Sequence, residues 1–482
     1  METSFLYPAA RSLVRAALAV YFRKIEISGS ENVPAEGPVI FASNHPQSIT
    51  DGFVLARTAP RAVHFLAHAG LFKNRLRGWM LRACGVIPVY RPRDSADAPQ
   101  RAGAPQTTKA LHKNVAMFSA CERVLEEGGA IGIFPEGVST DERRVHKLKT
   151  GTARIALDTE EKNGWRLGVT IVPVGLNFES RRRMRTRVLV TFGEPIAPAR
   201  FREAYEKDPV EAVGLLSTAL AEAIARLVVD IERPEFEDLV REVGLVYKGE
   251  LISRRGLEIA GRSKFESGHL VSIEIPRVLD FFLERQPEVV WRVRRLLEDY
   301  RRSLDTAQVR DEMLRDAGER TVGGEIVRLA GFGALGLPPA LYGMLWNFVP
   351  YKFAGFFAHG AAKDETKIHY YQIVCGALLF PLWYAPPVYL VYRGAGAWGA
   401  AVFAATLPLS GLFALGYVRW FIQRGRMVRF AWLRMTHGRF VQELERKRQL
   451  VIREMDVALA EYLGAQLDPA PETHEGEEGQ GE

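Results

Sequence analysis

Ala130-Ile131-Gly132-Ile133-Phe134-Pro135-Glu136-Gly137 reads as a short apolar strand that runs directly into a Pro-Glu-Gly bend. A run apolar at every position, rather than at alternate ones, is the pattern of a strand covered on both faces. Three more such runs occur, at Pro38 to Ala42, Val169 to Val174 and Val188 to Phe192. Helical stretches separate them, around Phe53 to Ala59, Arg75 to Cys84, Lys109 to Glu127 and Gly151 to Lys162. Strands alternating with helices predict an α/β domain over residues 26–200, with a mostly parallel sheet flanked by helices. Open sheets of that kind keep their functional groups at the carboxyl ends of the strands. Glu136 and the neighbouring backbone amides fall at such an end.

Three further blocks accompany that bend. Asn44-His45-Pro46-Gln47-Ser48-Ile49-Thr50-Asp51 follows the first strand, and a carboxylate near a His can fix the ring while its other nitrogen stays basic. Gly85-Val86-Ile87-Pro88-Val89-Tyr90-Arg91 is a strand and turn ending in a guanidinium, which can grip a phosphate with two parallel hydrogen bonds. Ile171-Val172-Pro173-Val174-Gly175 reads as a buried strand whose proline marks its end. Downstream of the Pro-Glu-Gly bend, Lys147, Lys149 and the helix start at Gly151-Thr152 can add anion contacts. A base, oxyanion donors and a grip on an acceptor are what acyl transfer to an alcohol requires.

The rest of the chain is organised differently. Residues 201–323 read as a helical extension, with helices such as Pro209 to Asp230 and Glu288 to Arg302. Three uncharged runs follow, at Leu329 to Val349, Tyr370 to Tyr392 and Gly394 to Val418, each long enough to cross a hydrocarbon core of about 30 Å. Pro338-Pro339 interrupt helical hydrogen bonding in the first. Arg393 alone separates the second from the third, and basic residues cluster outside them. That charge pattern predicts a membrane region over residues 324–422, with one re-entrant segment and a two-span hairpin. A charged cytoplasmic helix at 423–466 and a disordered acidic tail at 467–482 complete the expectation.

The chain has 482 residues, a net charge of +7 and 47% hydrophobic residues, so it can build two or three cores and favours anionic partners. Residues 1–25 interleave Arg11 and Arg15 with apolar positions, as an amphipathic helix on a membrane surface does, and no signal-peptide cleavage pattern follows. Three scattered cysteines, Cys84, Cys121 and Cys375, argue against a disulfide framework or a zinc site and favour a reducing compartment. Gly331-Phe332-Gly333-Ala334-Leu335-Gly336 has dinucleotide-fingerprint spacing but lies in an apolar run with no strand before it, so close helix packing is expected. His64 and His68 lack the Glu a zinc protease needs, and no nucleic-acid recognition motif is present.

Taken together, Asn44-His45…Asp51, Gly85-Val86-Ile87-Pro88-Val89-Tyr90-Arg91, Phe134-Pro135-Glu136-Gly137 and Val172-Pro173-Val174 resemble, in type and order, the motifs of the glycerolipid acyltransferase family. The resemblance covers about residues 15–200. It implies that His45 is the general base and Asp51 its partner, with Arg91, Glu136, Gly137, Ser139 and Lys149 in the acceptor site. It also implies an acyl thioester donor (acyl-CoA or acyl-ACP), a phosphorylated glycerol acceptor, a phospholipid membrane as partner, and no metal or bound cofactor. Two departures stand out. Five residues separate His45 from Asp51 where the family pattern has four, which shifts the helical phase between them. Ser139 stands where an Arg is frequent. Both, with Asp141 and the stretch from Gly175 through Arg187, look like the fungal-type glycerol-3-phosphate/dihydroxyacetone-phosphate acyltransferase subgroup. The expected activity is therefore transfer of a fatty acyl group to glycerol-3-phosphate or dihydroxyacetone phosphate in phospholipid synthesis. A 1-acylglycerol-3-phosphate or lysophospholipid acyltransferase, and a catalytically silent membrane scaffold, are the alternatives.

Overall fold

The computed structural model describes residues 6–89, 108–140, 142–181, 183–254, 256, 261–315, 322–362 and 364–467. Its strands are β1 Lys24–Ser28, β2 Val39–Ser43, β3 Val63–His68, β4 Ile87–Val89, β5 Ala130–Ile133, β6 Thr170–Phe178 and β7 Arg187–Phe192. They form one sheet in the order β1-β7-β6-β2-β5-β3-β4. From β6 to β4 every neighbouring pair is parallel; β7 runs antiparallel to β6 and parallel to β1. The carboxyl ends of β2, β5 and β6 thus share one edge, and β2 lies between the other two.

Helices cover both faces. They are α1 Leu6–Tyr21, α2 Ile49–Thr58, α3 Arg75–Ala83, α4 Thr108–Glu126, α5 Gly151–Lys162, α6 Arg202–Lys207 and α7 Pro209–Ala225. Side chains alternate along β2 as the pleat demands. Ile40 and Ala42 join Ile131, Ile133 and Ile171 under α4, α5 and α7, whereas Val39 and Phe41 join Val172, Val174 and Phe192 under α1 and α2. The sheet is therefore buried on both sides, which is why its strands are apolar at every position. α7 starts where Asp208 accepts hydrogen bonds from the N–H groups of Val210 and Glu211, with Pro209 in the first helical turn where its missing N–H costs nothing.

The proline of β6 does not end that strand. Pro173 O accepts from Gly193 N at 2.8 Å, so the Pro173 nitrogen faces the β7 side as well. The last β7 rung is Val174↔Phe192, one residue further on. Pro173 thus sits where the ladder needs no donor, and the strand continues to Phe178.

By its internal contacts the chain divides into two compact units, Met1–Glu232 with Tyr342–Gly411 and Arg233–Leu341 with Leu412–Glu482. The second contains α8 Glu237–Gly249, α9 Lys264–Arg285, α10 Pro287–Ala307 and α11 Asp311–Arg315. Ser263 caps α9 by accepting from Glu266 N, the Ser-x-x-Glu arrangement of a capping box. Two long helices follow, α12 Val322–Ala361 and α13 Ile368–Thr436, and then α14 Gly438–Leu467. Val441, Leu444, Val451, Ile452, Met455 and Tyr462 form the apolar stripe of α14 and pack with residues of α8, α9 and α10.

α12 and α13 are long and apolar enough to cross a membrane. The helix continues through Pro338-Pro339: two hydrogen-bond donors are lost there, as expected, without breaking the winding. In α13 the break lies elsewhere, at Gly396, with φ of 72°. Asn347 donates to Leu407 O at 3.0 Å and accepts from Tyr384 Oη. An unbroken helix would hold residues 384 and 407 about 35 Å apart, so α13 is sharply bent between them. The fingerprint-like glycines lie inside α12, where a Cβ on Gly336 would come within 2.6 Å of Tyr417 and Tyr417 donates to Gly333 O. Gly333 and Gly336 serve close helix packing, as expected, whereas a Cβ on Gly331 would meet nothing within 4 Å.

Candidate functional site

At the carboxyl edge of β2 the chain turns through Asn44 and His45. Asn44 is buried and clamps that edge to β6: its Oδ1 accepts from Leu176 N at 2.8 Å and its amide donates to Leu176 O at 3.2 Å. His45 Nδ1 then lies 3.0 Å from Asp51 Oδ2, and Gln47 N donates to the same oxygen at 2.7 Å. The extra residue between His45 and Asp51 does not separate them. Ser48 takes φ of 52° and ψ of −129°, outside the region favoured by ordinary residues, and α2 starts only after it, at Ile49. The additional residue is absorbed in a turn, and the helical phase that presents Asp51 is preserved.

Asp51 is fully buried, and burial pushes its carboxyl up, against the hydrogen bonds from His45 and Gln47 that pull it down. A carboxylate accepting from Nδ1–H fixes the tautomer that leaves Nε2 as the basic nitrogen. The ring is held from a second side. Phe134, the last residue before the Pro-Glu bend, stacks on it at a centroid distance of 4.1 Å and 18° between planes.

Glu136 stands beside this pair. Burial raises its carboxyl to about 7, opposed by a hydrogen bond from the His45 backbone N–H and reinforced by repulsion from Asp51. Gly137 adopts φ of 68°, and its position is crowded: a Cβ there would lie 2.4 Å from Lys149 Nζ. Lys149 N donates to Pro135 O at 2.9 Å, so the lysine is laced to the bend by its backbone as well as its side chain. Ser139 Oγ is buried without a hydrogen-bond partner among the described residues. The loop that returns to α5 is tied down by Asp230, which accepts from Val145 N at 2.8 Å.

His45, Asp51, Glu136, Gly137, Ser139 and Lys149 therefore all lie on the segments that leave β2 and β5 at one edge. Arg91 and Asp141 lie outside the described residues. Sequence reasoning missed three contributors. Phe134 and Asn44 were read as motif letters without a contact. Arg181 falls unremarked within the stretch from Gly175 through Arg187, yet its charge acts on both Asp51 and Glu136. Its signal was its position, three residues beyond the end of β6 at the same edge. His64 and His68 serve the fold, His64 Nδ1 lying 3.0 Å from Gly85 O and His68 accepting from Gly70 N. No group of three or more metal-binding side chains occurs among the described residues.

A dyad of this geometry, with a carboxyl and cations beside it, can take a proton from a hydroxyl and hold an anionic acceptor. Comparison with known proteins points the same way. Residues 24–177 match the family described as Acyltransferase. An uncharacterised acyltransferase of Schizosaccharomyces pombe is 24% identical over 314 residues, which cover 50% of this chain and 46% of the relative. Glycerol-3-phosphate O-acyltransferase 2 of Saccharomyces cerevisiae is 23% identical over 408 residues, covering 64% of this chain and 53% of the relative. A chloroplastic 1-acyl-sn-glycerol-3-phosphate acyltransferase of Arabidopsis thaliana is 29% identical over 165 residues, covering 33% and 38%. The chain thus spans about half, or less, of the length of these curated relatives.

Proposed function

We propose that this chain, whose residues 24–177 match the Acyltransferase family, transfers a fatty acyl group from an acyl thioester to glycerol-3-phosphate or dihydroxyacetone phosphate. The observation that carries the proposal is the His45–Asp51 pair, 3.0 Å apart, beside the buried Glu136. His45 Nε2 removes the acceptor hydroxyl proton as that oxygen attacks the thioester carbonyl. The tetrahedral intermediate then expels the thiolate, which takes the proton back from the imidazolium. The products are an ester and a free thiol, with no acyl-enzyme. Phe134 keeps the ring in plane for this exchange. Lys149 and Arg181, with Arg91, hold the acceptor phosphate, Glu136 and Ser139 receive its glycerol hydroxyls, and Gly137 leaves room beside Lys149. No metal or bound cofactor takes part.

The preference for the first acylation is supported by the match with the yeast glycerol-3-phosphate enzyme, which runs beyond the catalytic domain to 64% of this chain. Membranes containing the protein, given labelled glycerol-3-phosphate, dihydroxyacetone phosphate or lysophosphatidate, test it. Product from the first two that disappears in His45→Ala supports the reading. Product from lysophosphatidate alone moves the enzyme one step along, and none from any acceptor overturns it.

The protein is further proposed to be a multi-pass membrane protein with its catalytic domain cytoplasmic and the two arms of α13 crossing as a hairpin. Tyr21 donates to Gln372, and Ile373 joins the core under α1, so the start of α13 is anchored on the catalytic domain. Arg393 and Gly394 then lie at the far tip. Impermeant thiol labelling of Gly394→Cys from the far side, and of Gly360→Cys from the catalytic side, is expected; the reverse pattern overturns this topology.

A further inference from the structure

Between Gly52 and Arg93 the chain contains eight Lys or Arg residues and neither Asp nor Glu. In the middle of that stretch α3 turns large apolar side chains outward. Leu76, Trp79 and Met80 are 73%, 57% and 50% exposed, at the i, i+3, i+4 spacing that puts all three on one face. The inward position is taken by Gly78, where a Cβ would meet Phe72 O at 2.7 Å. A helix built only to pack on the sheet has the opposite arrangement, large residues in and small or polar ones out. Lys73, Arg75 and Arg82 are exposed around the apolar face, and Arg82 also lies over the Phe72 ring at 5.4 Å.

We propose that α3 is an interfacial docking helix: Leu76, Trp79 and Met80 enter the headgroup region of an anionic phospholipid bilayer while Lys73, Arg75 and Arg82 meet its phosphates. Three observations favour lipid over a protein partner. The cations around the apolar face, Lys73, Arg75 and Arg82, complement an anionic surface with no acidic residue among them. A tryptophan among aliphatic residues, ringed by arginines, is the composition of membrane interfaces. The neighbouring α1 exposes Leu13 and Val20, and the same compact unit includes the apolar residues 342–411. The position has a consequence for the site. α3 begins seven residues past the end of β3, at the carboxyl edge of the sheet where His45 and Glu136 stand. Docking there brings the bilayer to the edge at which acyl chains must enter and leave. The inference rests on the membrane partner proposed above and not on the acyl-transfer reading.

Nitroxide labels at Leu76→Cys and Trp79→Cys test it in the full-length chain, with Cys84 and Cys375 replaced by Ser and buried Cys121 kept. The protein is reconstituted in vesicles of phosphatidylcholine and phosphatidylglycerol, with Glu222→Cys on the exposed side of α7 as reference. The expected result is that dissolved oxygen reaches positions 76 and 79 better than a water-soluble nickel chelate does, with the order reversed at 222. Nickel access at 79 equal to that at 222 overturns the proposal. So does exclusion of both reagents, which would mean that protein covers the face. The readout requires no turnover, so a chain inactive in acyl transfer still answers the question.

Discussion

Both compact units bury charged side chains, and they treat them in opposite ways. In the helical unit Arg448, 2% exposed, is bracketed by carboxylates, with Nε 2.7 Å from Asp311 and Nη2 2.9 Å from Glu250, and Tyr300 donates to Asp311 at 2.8 Å. At the edge of the sheet two buried carboxyls, Asp51 and Glu136, repel one another beside a single imidazole. The first arrangement pairs each carboxylate with a shared opposite charge, as a group kept for structure should. The second leaves proton affinity high, as a group kept for chemistry should. The difference teaches that burial alone does not mark a site; burial of two carboxyls that repel one another does.

Single substitutions separate the two cases. His45→Ala is expected to lower turnover by roughly 10²–10⁴-fold in a chain that still folds, as measured by acyl-transfer assay and thermal unfolding in detergent. Near-parental turnover removes His45 from the mechanism. Arg448→Met is expected to do the converse. Leaving Glu250 and Asp311 buried without their cation costs about 3–5 kcal/mol of stability, with turnover per folded molecule unchanged. If Arg448→Met unfolds no more easily than the parent, the pairing is not what holds the helical unit.

Glu136 sharpens the contrast through pH. Its carboxyl is raised from 4.5 to about 7, so the folded state binds its proton more tightly than the unfolded chain does. The sign follows: stability is fully present at low pH and is lost as pH rises toward 7, by an amount on the order of 3 kcal/mol. Glu136→Gln cannot ionise. It is expected to remove that decline and to be more stable than the parent at pH 8 in chemical unfolding. A parent whose stability is flat between pH 4.5 and 7 contradicts the raised carboxyl.

Much of this architecture was readable from the chain, and the exceptions have physical causes. β2, β5, β6 and β7 announce themselves because burial on both faces makes them apolar throughout. β1 and β3 do not: Lys24 and Glu26 alternate with Ile25 and Ile27 in one, and the other carries two histidines, of which His64 finds its partner, Gly85 O, only in the tertiary structure. The reversal of β7 is a property of pairing and leaves no mark in composition. At the site, His45, Asp51, Glu136 and Lys149 could be picked out by type and order. Phe134 against His45, Asn44 against Leu176, and Arg181 near two carboxyls depend on which strand ends become neighbours, and no spacing along the chain encodes that.

The spacing of His45 and Asp51 is the most instructive case, because the sequence pointed to a phase shift that the backbone cancels at Ser48. A non-glycine residue at φ of 52° and ψ of −129° is strained, by an amount on the order of 1 kcal/mol or more. Glycine occupies that region freely, although it also adds entropy to the unfolded chain. Ser48→Gly is therefore expected to gain up to about 1 kcal/mol of stability with turnover preserved, because α2 still begins at Ile49 and still presents Asp51 to His45. Ser48→Val is expected to lose both, since a β-branched residue resists positive φ and the turn must open to relieve it. Unfolding and turnover measured on the two variants together decide the point. If valine is tolerated as well as glycine, the turn at Ser48 is not what keeps the longer loop in register.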